Sequence, residues 1–207
     1  YSSLESEGER WLCKDRIPVL RVAELSVPGK HNEANALAAL ALASIVEESK
    51  LQPQLRALRE FSGLPHRCQR VAQTEGILFV NDSKGTNVGA TVAALQGISG
   101  PLVLIAGGQA KGADFSPLVE ASQDKLVGIV VIGEAASELK EVFSAKVPVL
   151  VASQMPEAVT CAIRLAEAAK KSSITVLMSP ACASFDMFAD YQVRGEAFID
   201  AVTEQLQ

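Results

Sequence analysis

The 207 residues, 48% hydrophobic and 21% charged, suffice for one full domain plus part of another, or for two small domains. A net charge of -5 without a basic stripe gives nucleic-acid binding no electrostatic support. Four isolated cysteines and two histidines, His31 and His66, fit neither zinc-site spacing nor a disulfide framework, so a reducing cytoplasm is the expected compartment.

Residues 1–30 read as short strands and turns. Arg10–Cys13 and Ile17–Val22 flank a Lys-Asp-Arg turn, which predicts a hairpin, and Val27-Pro-Gly-Lys reads as a loop. The chain opens on Tyr1 rather than Met, which suggests a piece of a longer protein. Asn32 is placed to cap a helix running to about Glu48, rich in Ala and Leu. Its apolar stretch, Ala34–Val46, is too short to span a bilayer and is followed by Glu47 and Glu48, so no membrane association is expected. A second helix fits Gln52–Phe61, with Pro53 tolerated in its first turn.

Ser62-Gly-Leu-Pro-His reads as a domain joint, and beyond it the pattern alternates. Arg67–Thr74 predicts an antiparallel strand. Ile77–Val80, Leu102–Ala106, Val127–Ile132, Val147–Val151 and Ile174–Met178 are apolar runs. Helical segments follow them, reaching Leu95, starting near Ser116, reaching Phe143, covering Pro156–Lys170 and covering about Asp186–Gln205. Continuous apolar strands separated by helices imply an α/β fold, with a doubly wound, mainly parallel, Rossmann-like sheet covered on both faces. The expected division is 1–63 and 64–207.

Ligands of such sheets bind beyond the carboxyl ends of the strands, where the unusual residues of this chain cluster. Asn81-Asp-Ser-Lys-Gly-Thr-Asn87 offers Asp82 to sugar hydroxyls, Lys84 to phosphate or carboxylate, and Thr86 to an anion at a helix start; it also reads as a turn with an N-cap. Gly107-Gly-Gln-Ala-Lys-Gly-Ala-Asp-Phe115 permits close backbone approach and presents Lys111, or else is a loop with a solvated lysine and Asp114 as a cap. Ser179-Pro-Ala-Cys-Ala-Ser-Phe-Asp186 presents Ser184; Cys182 reads as a packed small residue rather than a nucleophile, and Asp186 as a cap. Asn32 and Asn35 share a helix face suited to a purine edge, or are a cap and a surface residue. Arg67 is either a phosphate clamp or an exposed arginine, and neither histidine is expected to bind metal.

These blocks, in this order, resemble the Mur ligases, in particular those that add D-glutamate (the MurD type). The blocks are His31-Asn32 with Asn35, Leu64-Pro-His-Arg67, Asn81–Asn87, Gly107–Phe115 and Ser179–Asp186 with Arg194-Gly195, and the resemblance covers essentially the whole chain. It implies an ATP-dependent ligase of peptidoglycan precursor synthesis, which joins D-glutamate to UDP-N-acetylmuramoyl-L-alanine through an acyl phosphate. It makes 1–63 the end of a central ATP-binding domain and 64–207 the amino-acid-binding domain. By the same resemblance, Asn32 and Asn35 contact adenine, Asp82 the ribose and Arg67 the phosphates. Lys84 lies near the nucleotide and the reacting centre, Thr86 receives the α-carboxylate of D-glutamate, and Lys111 and Ser184 receive its side-chain carboxylate with help from the backbone of Tyr191. Lys84 and Lys111 are the candidate catalytic residues. ATP and Mg²⁺ are the implied cofactors and a monomer is expected, but no GxxxxGK[ST] loop occurs and the family's metal-ligand positions have no match. The 207 residues alone are therefore expected not to ligate. The competing readings are a Rossmann-type nucleotide-binding oxidoreductase, weakened by the lack of GxGxxG after the first strand, and a non-enzymatic binding module.

Overall fold

The computed structural model describes residues 1–6, 8–27, 30–46, 50–74 and 76–207, with the side chains of residues 30 and 31 outside that description. The chain divides into two compact units, Tyr1–Gly63 and Leu64–Gln207.

In the first unit, β1 (Ser2–Ser6), β2 (Glu9–Lys14) and β3 (Ile17–Arg21) form an antiparallel sheet in that order. The expected hairpin is β2–β3, turning on Asp15 and Arg16, both with positive φ as a tight primed turn requires. β1 carries too little apolar alternation to stand out in the sequence, yet it pairs with β2 from Ser2 opposite Cys13 to Ser6 opposite Glu9. Helices α1 (Lys30–Val46) and α2 (Leu51–Glu60) follow. Asn32 does not cap α1, because the helix already includes Lys30 and Asn32 falls in its first turn. Residues 28 and 29 of the predicted loop, and Glu47 and Glu48, lie outside the described residues. Leu12, Leu20, Leu25, Ala36, Leu40 and Leu55 form the core of this unit.

The second unit is a six-stranded sheet of β4 (Gln69–Thr74), β5 (Ile77–Asn81), β6 (Leu102–Gly107), β7 (Leu126–Ile132), β8 (Val149–Val151) and β9 (Ile174–Met178). Their spatial order is β4-β5-β9-β6-β7-β8, with every pairing parallel except β4–β5. The helices are α3 (Val88–Gly97), α4 (Ser116–Ser122), α5 (Ala136–Phe143), α6 (Met155–Ala168) and α7 (Tyr191–Gln205). Alternation along the strands feeds two cores. Val103, Ile105, Val130 and Ile132 pack with Met155, Val159 and Phe198 of α6 and α7. Leu102, Leu104, Ile129 and Val131 pack with Leu95, Leu118, Leu139 and Phe143 of α3 to α5. The sheet is therefore doubly wound, as its apolar runs imply.

Further expectations need correction. β8 begins at Val149, not Val147, because Pro148 lacks the N–H a ladder needs. The last helix begins at Tyr191, and its cap is Asp190, whose carboxylate accepts from the N–H groups of Gln192 and Val193, both at 2.8 Å. Asp186 lies in the preceding loop and instead accepts from the N–H of Glu134 at 2.9 Å, pinning the loop after β7. Among the described residues no helix is long and apolar enough to cross a membrane.

Candidate functional site

The strand order reverses at the centre of the sheet. After β5 the chain skips a place to β6, moves outward through β7 and β8, then returns to insert β9 between β5 and β6. Such a switch point opens a crevice at the carboxyl ends of the strands. The three loops that leave there, after Asn81, Gly107 and Met178, are the three clusters singled out by composition.

Backbone hydrogen bonds join these loops. Gln109 and Ala183 exchange a pair, at 2.9 and 3.2 Å, linking the loop after β6 to the loop after β9. Ala181 N–H donates to the Gly85 carbonyl at 2.9 Å, linking the latter to the loop after β5. The N–H of Lys84 donates to the carbonyl of His66 at 3.0 Å. The His66 ring is buried against Asn81, and Gly195 of α7 makes room for it, since a Cβ there would overlap the ring.

The loops enclose a cleft of about 620 Å³. Lys84, Thr86, Lys111, Ser184 and Tyr191 all line it. Its electrostatics follow from which charges are already engaged. Asp114 is not the cap expected of it, since Phe115 holds the N-cap position of α4, but its carboxylate accepts from the N–H of Ser116 at 2.9 Å, and that of Asp190 caps α7. The two lysines have no carboxylate partner among the described residues. Lys84 Nζ stands 3.9 Å over the Tyr191 ring and Lys111 Nζ 5.7 Å from the Phe185 ring. The N–H of Tyr191, first in α7, is the helix-start donor that Asp190 leaves over. Two ammonium groups without an ion pair, two hydroxyls and a helix N-terminus thus line the cleft beside the hydrogen-bonded carboxylates of Asp114 and Asp190, a set of donors able to meet more than one negative group.

Other expected site residues lie elsewhere. Asn32 and Asn35 belong to α1 of the first unit. Arg67 is exposed in the turn before β4. Asp82 is 7% exposed, accepting from Ser179 Oγ at 2.7 Å and from the N–H of Cys68 at 3.1 Å. Burial raises its pKa, opposed by the Ser179 and Cys68 bonds and by the nearby Arg67 guanidinium. Burial also pushes the thiols of Cys68 and Cys182 up to about 12, which leaves both protonated and poor nucleophiles.

The Asp82 shift fixes a pH dependence. Where the folded pKa of an acid exceeds its unfolded value, the folded state holds the proton longer, and stability is lost as pH rises through that interval. Asp82→Asn keeps the shape and the acceptor for Cys68 without the charge. It is expected to gain on the wild type, in thermal melts from about pH 4 upward. Melts in which the wild type instead gains as pH climbs would contradict this account.

Gln109, Asn87, Phe185 and Asp190 also line the cleft, and the sequence reading gave them no ligand role. Asp190 had a local signal, an Asp immediately before a helical segment. Phe185 had none, because nothing local tells that its ring is 65% exposed at the mouth of a cleft.

Residues 66–182 match the family model described as Mur ligase, glutamate ligase domain. The chain is 49% identical over 208 residues to the UDP-N-acetylmuramoylalanine–D-glutamate ligase of Nitrosococcus oceani, covering 100% of this chain and 45% of that one. It is 48% identical over 204 residues to the enzyme of the same name from Hahella chejuensis, covering 96% and 44%. It thus spans under half the length of these relatives. Among solved structures, a pseudomurein peptide ligase type C from Methanothermus fervidus superposes with a TM-score of 0.65 at 17% identity, over 99% of this chain and 41% of that one. A folylpolyglutamate synthase of Mycobacterium tuberculosis does so at 0.63 and 18%, over 87% and 41%, and both likenesses speak to the fold alone. The matched segment runs from the buried His66 through the loops after β5 and β6 and into the loop after β9 as far as Cys182, and by that match the chain belongs to the Mur ligase family through its glutamate ligase domain.

Proposed function

We propose that this chain carries the D-glutamate site, and part of the nucleotide site, of an ATP-dependent UDP-N-acetylmuramoylalanine–D-glutamate ligase working in the cytoplasm. The reading rests on one observation above the others: Lys84, Thr86, Lys111 and Ser184 share one cleft in which, among the described residues, neither lysine is ion-paired. D-Glutamate carries two carboxylates separated by a short stem. Thr86 and the start of α3 receive the α-carboxylate; Lys111, Ser184 and the N–H of Tyr191 receive the other. Held at both ends, the amine is oriented toward an acyl phosphate, and orientation of this kind supplies much of the rate in a bimolecular step. Lys84 offsets the charge that develops as the amine attacks and phosphate leaves. Arg67 and Asp82, close enough to interact, serve the phosphates and ribose.

The ligase uses ATP and Mg²⁺, and among the described residues no three His, Cys, Asp or Glu side chains are placed to hold a metal ion. Residues 1–63 are assigned to the ATP-binding domain and 64–207 to the amino-acid-binding domain. With no GxxxxGK[ST] loop, the 207 residues alone do not ligate. An oxidoreductase reading is not favoured, since no GxGxxG follows β5 and the matching relatives are ligases.

The test is an amide-resolved NMR titration with D-glutamate, L-glutamate, ADP and NAD. D-Glutamate should bind with a dissociation constant on the order of millimolar. It should shift the amides of Thr86, Lys111, Ser184 and Tyr191, and L-glutamate should bind more weakly. NAD binding in its place, or no D-glutamate response at those amides, would refute the reading. Turnover by the chain with ATP, Mg²⁺ and both substrates would refute the claim that it does not ligate alone.

A further inference from the structure

Beneath the cleft, one cation joins its walls. Arg194, in the first turn of α7, is 1% exposed and does not line the cleft. Its Nε donates to Ser83 Oγ at 3.0 Å, its Nη2 to the Ser83 carbonyl at 2.9 Å, and its Nη1 to the Cys182 carbonyl at 3.0 Å. Ser83 Oγ in turn donates a hydrogen bond to the Tyr191 carbonyl at 2.7 Å. Each tethered segment carries cleft residues next to the anchored atom: Lys84 and Thr86 follow Ser83, Ser184 follows Cys182, and Tyr191 begins α7.

All three acceptors are uncharged oxygens, and among the described residues Arg194 has no ion pair. A buried, unpaired cation is an expensive way to join two loops, because neutral side chains could make comparable bonds without the desolvation cost. Burial lowers its pKa to about 10, with Cys182 and Asp186 opposing, so the group stays charged at neutral pH. Two properties of guanidinium fit the place. Its rigid planar fork fixes the distance between the groups it holds. Its charge, in a poorly screened interior, also extends to the cleft above.

We infer that Arg194 is a positioning residue of the amino-acid site: it sets the span between the Lys84–Thr86 wall and the Ser184–Tyr191 wall, and so selects the length of the dicarboxylic amino acid. This rests on the reading of the cleft as a D-glutamate site. The ligand touches the two walls, and Arg194, which does not line the cleft, holds those walls without touching the ligand. A flexible ammonium stem at this position keeps the charge without holding the span.

The experiment compares D-aspartate, D-glutamate and D-2-aminoadipate, which differ by single methylenes, on the full 207-residue chain by NMR titration. The ratio of affinities is the decisive readout, because it does not depend on the fraction of protein folded. Wild type should prefer D-glutamate over both neighbours. Arg194→Lys should bind D-glutamate at least about tenfold more weakly. Its preference over the shorter and longer ligands should shrink to within about threefold. An affinity loss with the preference intact would mark Arg194 as merely structural and overturn the inference, as would no change at all. Ser83→Ala, which removes one acceptor and the link to Tyr191, should narrow the preference in the same direction. It decides the matter if Arg194→Lys does not fold, and an unaltered preference in Ser83→Ala then overturns the inference. Absence of D-glutamate binding by wild type sinks the reading of the cleft and the inference with it. Binding by wild type with unaltered variants sinks the inference alone.

Discussion

Lys111→Ala is expected to weaken D-glutamate binding about tenfold, approaching a hundredfold at low ionic strength, with little change in the melting temperature. Lys111 is exposed at the cleft and has no ion pair among the described residues. Its removal therefore costs the fold almost nothing. What is lost is a charge-assisted contact to the ligand side-chain carboxylate, worth about 1.5–3 kcal/mol when shielded. Solvent access places the effect at the lower end and makes it salt-dependent. Lys111 also sits at φ 53, a left-handed conformation that alanine shares the cost of, so backbone strain does not confound the comparison. In a ligase bearing this chain, the KM for D-glutamate should rise far more than that for ATP. Equal increases in both, or a titration in which Lys111→Ala binds D-glutamate like wild type, would remove Lys111 from the site.

Thr86→Val probes the opposite wall and separates a hydroxyl contact from a packing one. It keeps the shape, leaves Lys84 and Lys111 in place, and should selectively lower affinity for ligands that carry an α-carboxylate.

The parallel sheet was legible because its strands are short apolar runs such as Ile174–Met178, bounded by glycine, proline or polar clusters. Burial on both faces demands that pattern. The cleft loops were legible for a related reason, since Asn81–Asn87 and Gly107–Phe115 break the pattern where a switch-point crevice falls. β1 was not legible: its pairing with β2 comes from a partner strand, and a polar segment carries no local mark of that. Nor was the true start of α7. Asp186 and Asp190 are equally good caps by type, and only the pull of Asp186 toward the N–H of Glu134, 52 residues away in the chain, decides between them. Arg194 had no local reading beyond its place in a family block. Its partners come from the loops after β5 and β9, which only the tertiary fold brings together.

Gly108→Ala should be the most damaging small substitution in the loop after β6. Gly108 has φ 127, a region that side chains avoid, and a Cβ there would run into the carbonyl oxygen of Ala183 and stand 3.2 Å from the Cβ of Cys182. Neither side can yield freely. Gly108 donates to the Ile132 carbonyl at 3.1 Å and accepts from the N–H of Ala135 at 2.9 Å, while the Ala183 oxygen accepts from Gln109. Relief requires the loop after β9 to move away, which breaks the Gln109–Ala183 pair and separates the Lys111 wall from the Ser184 wall. Backbone strain of about 1–3 kcal/mol and two lost hydrogen bonds of about 1 kcal/mol each sum to roughly 3–5 kcal/mol. For a unit of this size, that is a fall in melting temperature of roughly 10–20 °C. Gly112 provides the control in the same loop: its φ is also positive, at 74, but a Cβ added there would meet nothing within 4 Å. Gly112→Ala should therefore show only the left-handed penalty of about 1 kcal/mol, and D-glutamate binding should survive in it while failing in Gly108→Ala. Equal melting temperatures for the two variants would mean that the close approach of these loops does not hold the cleft together.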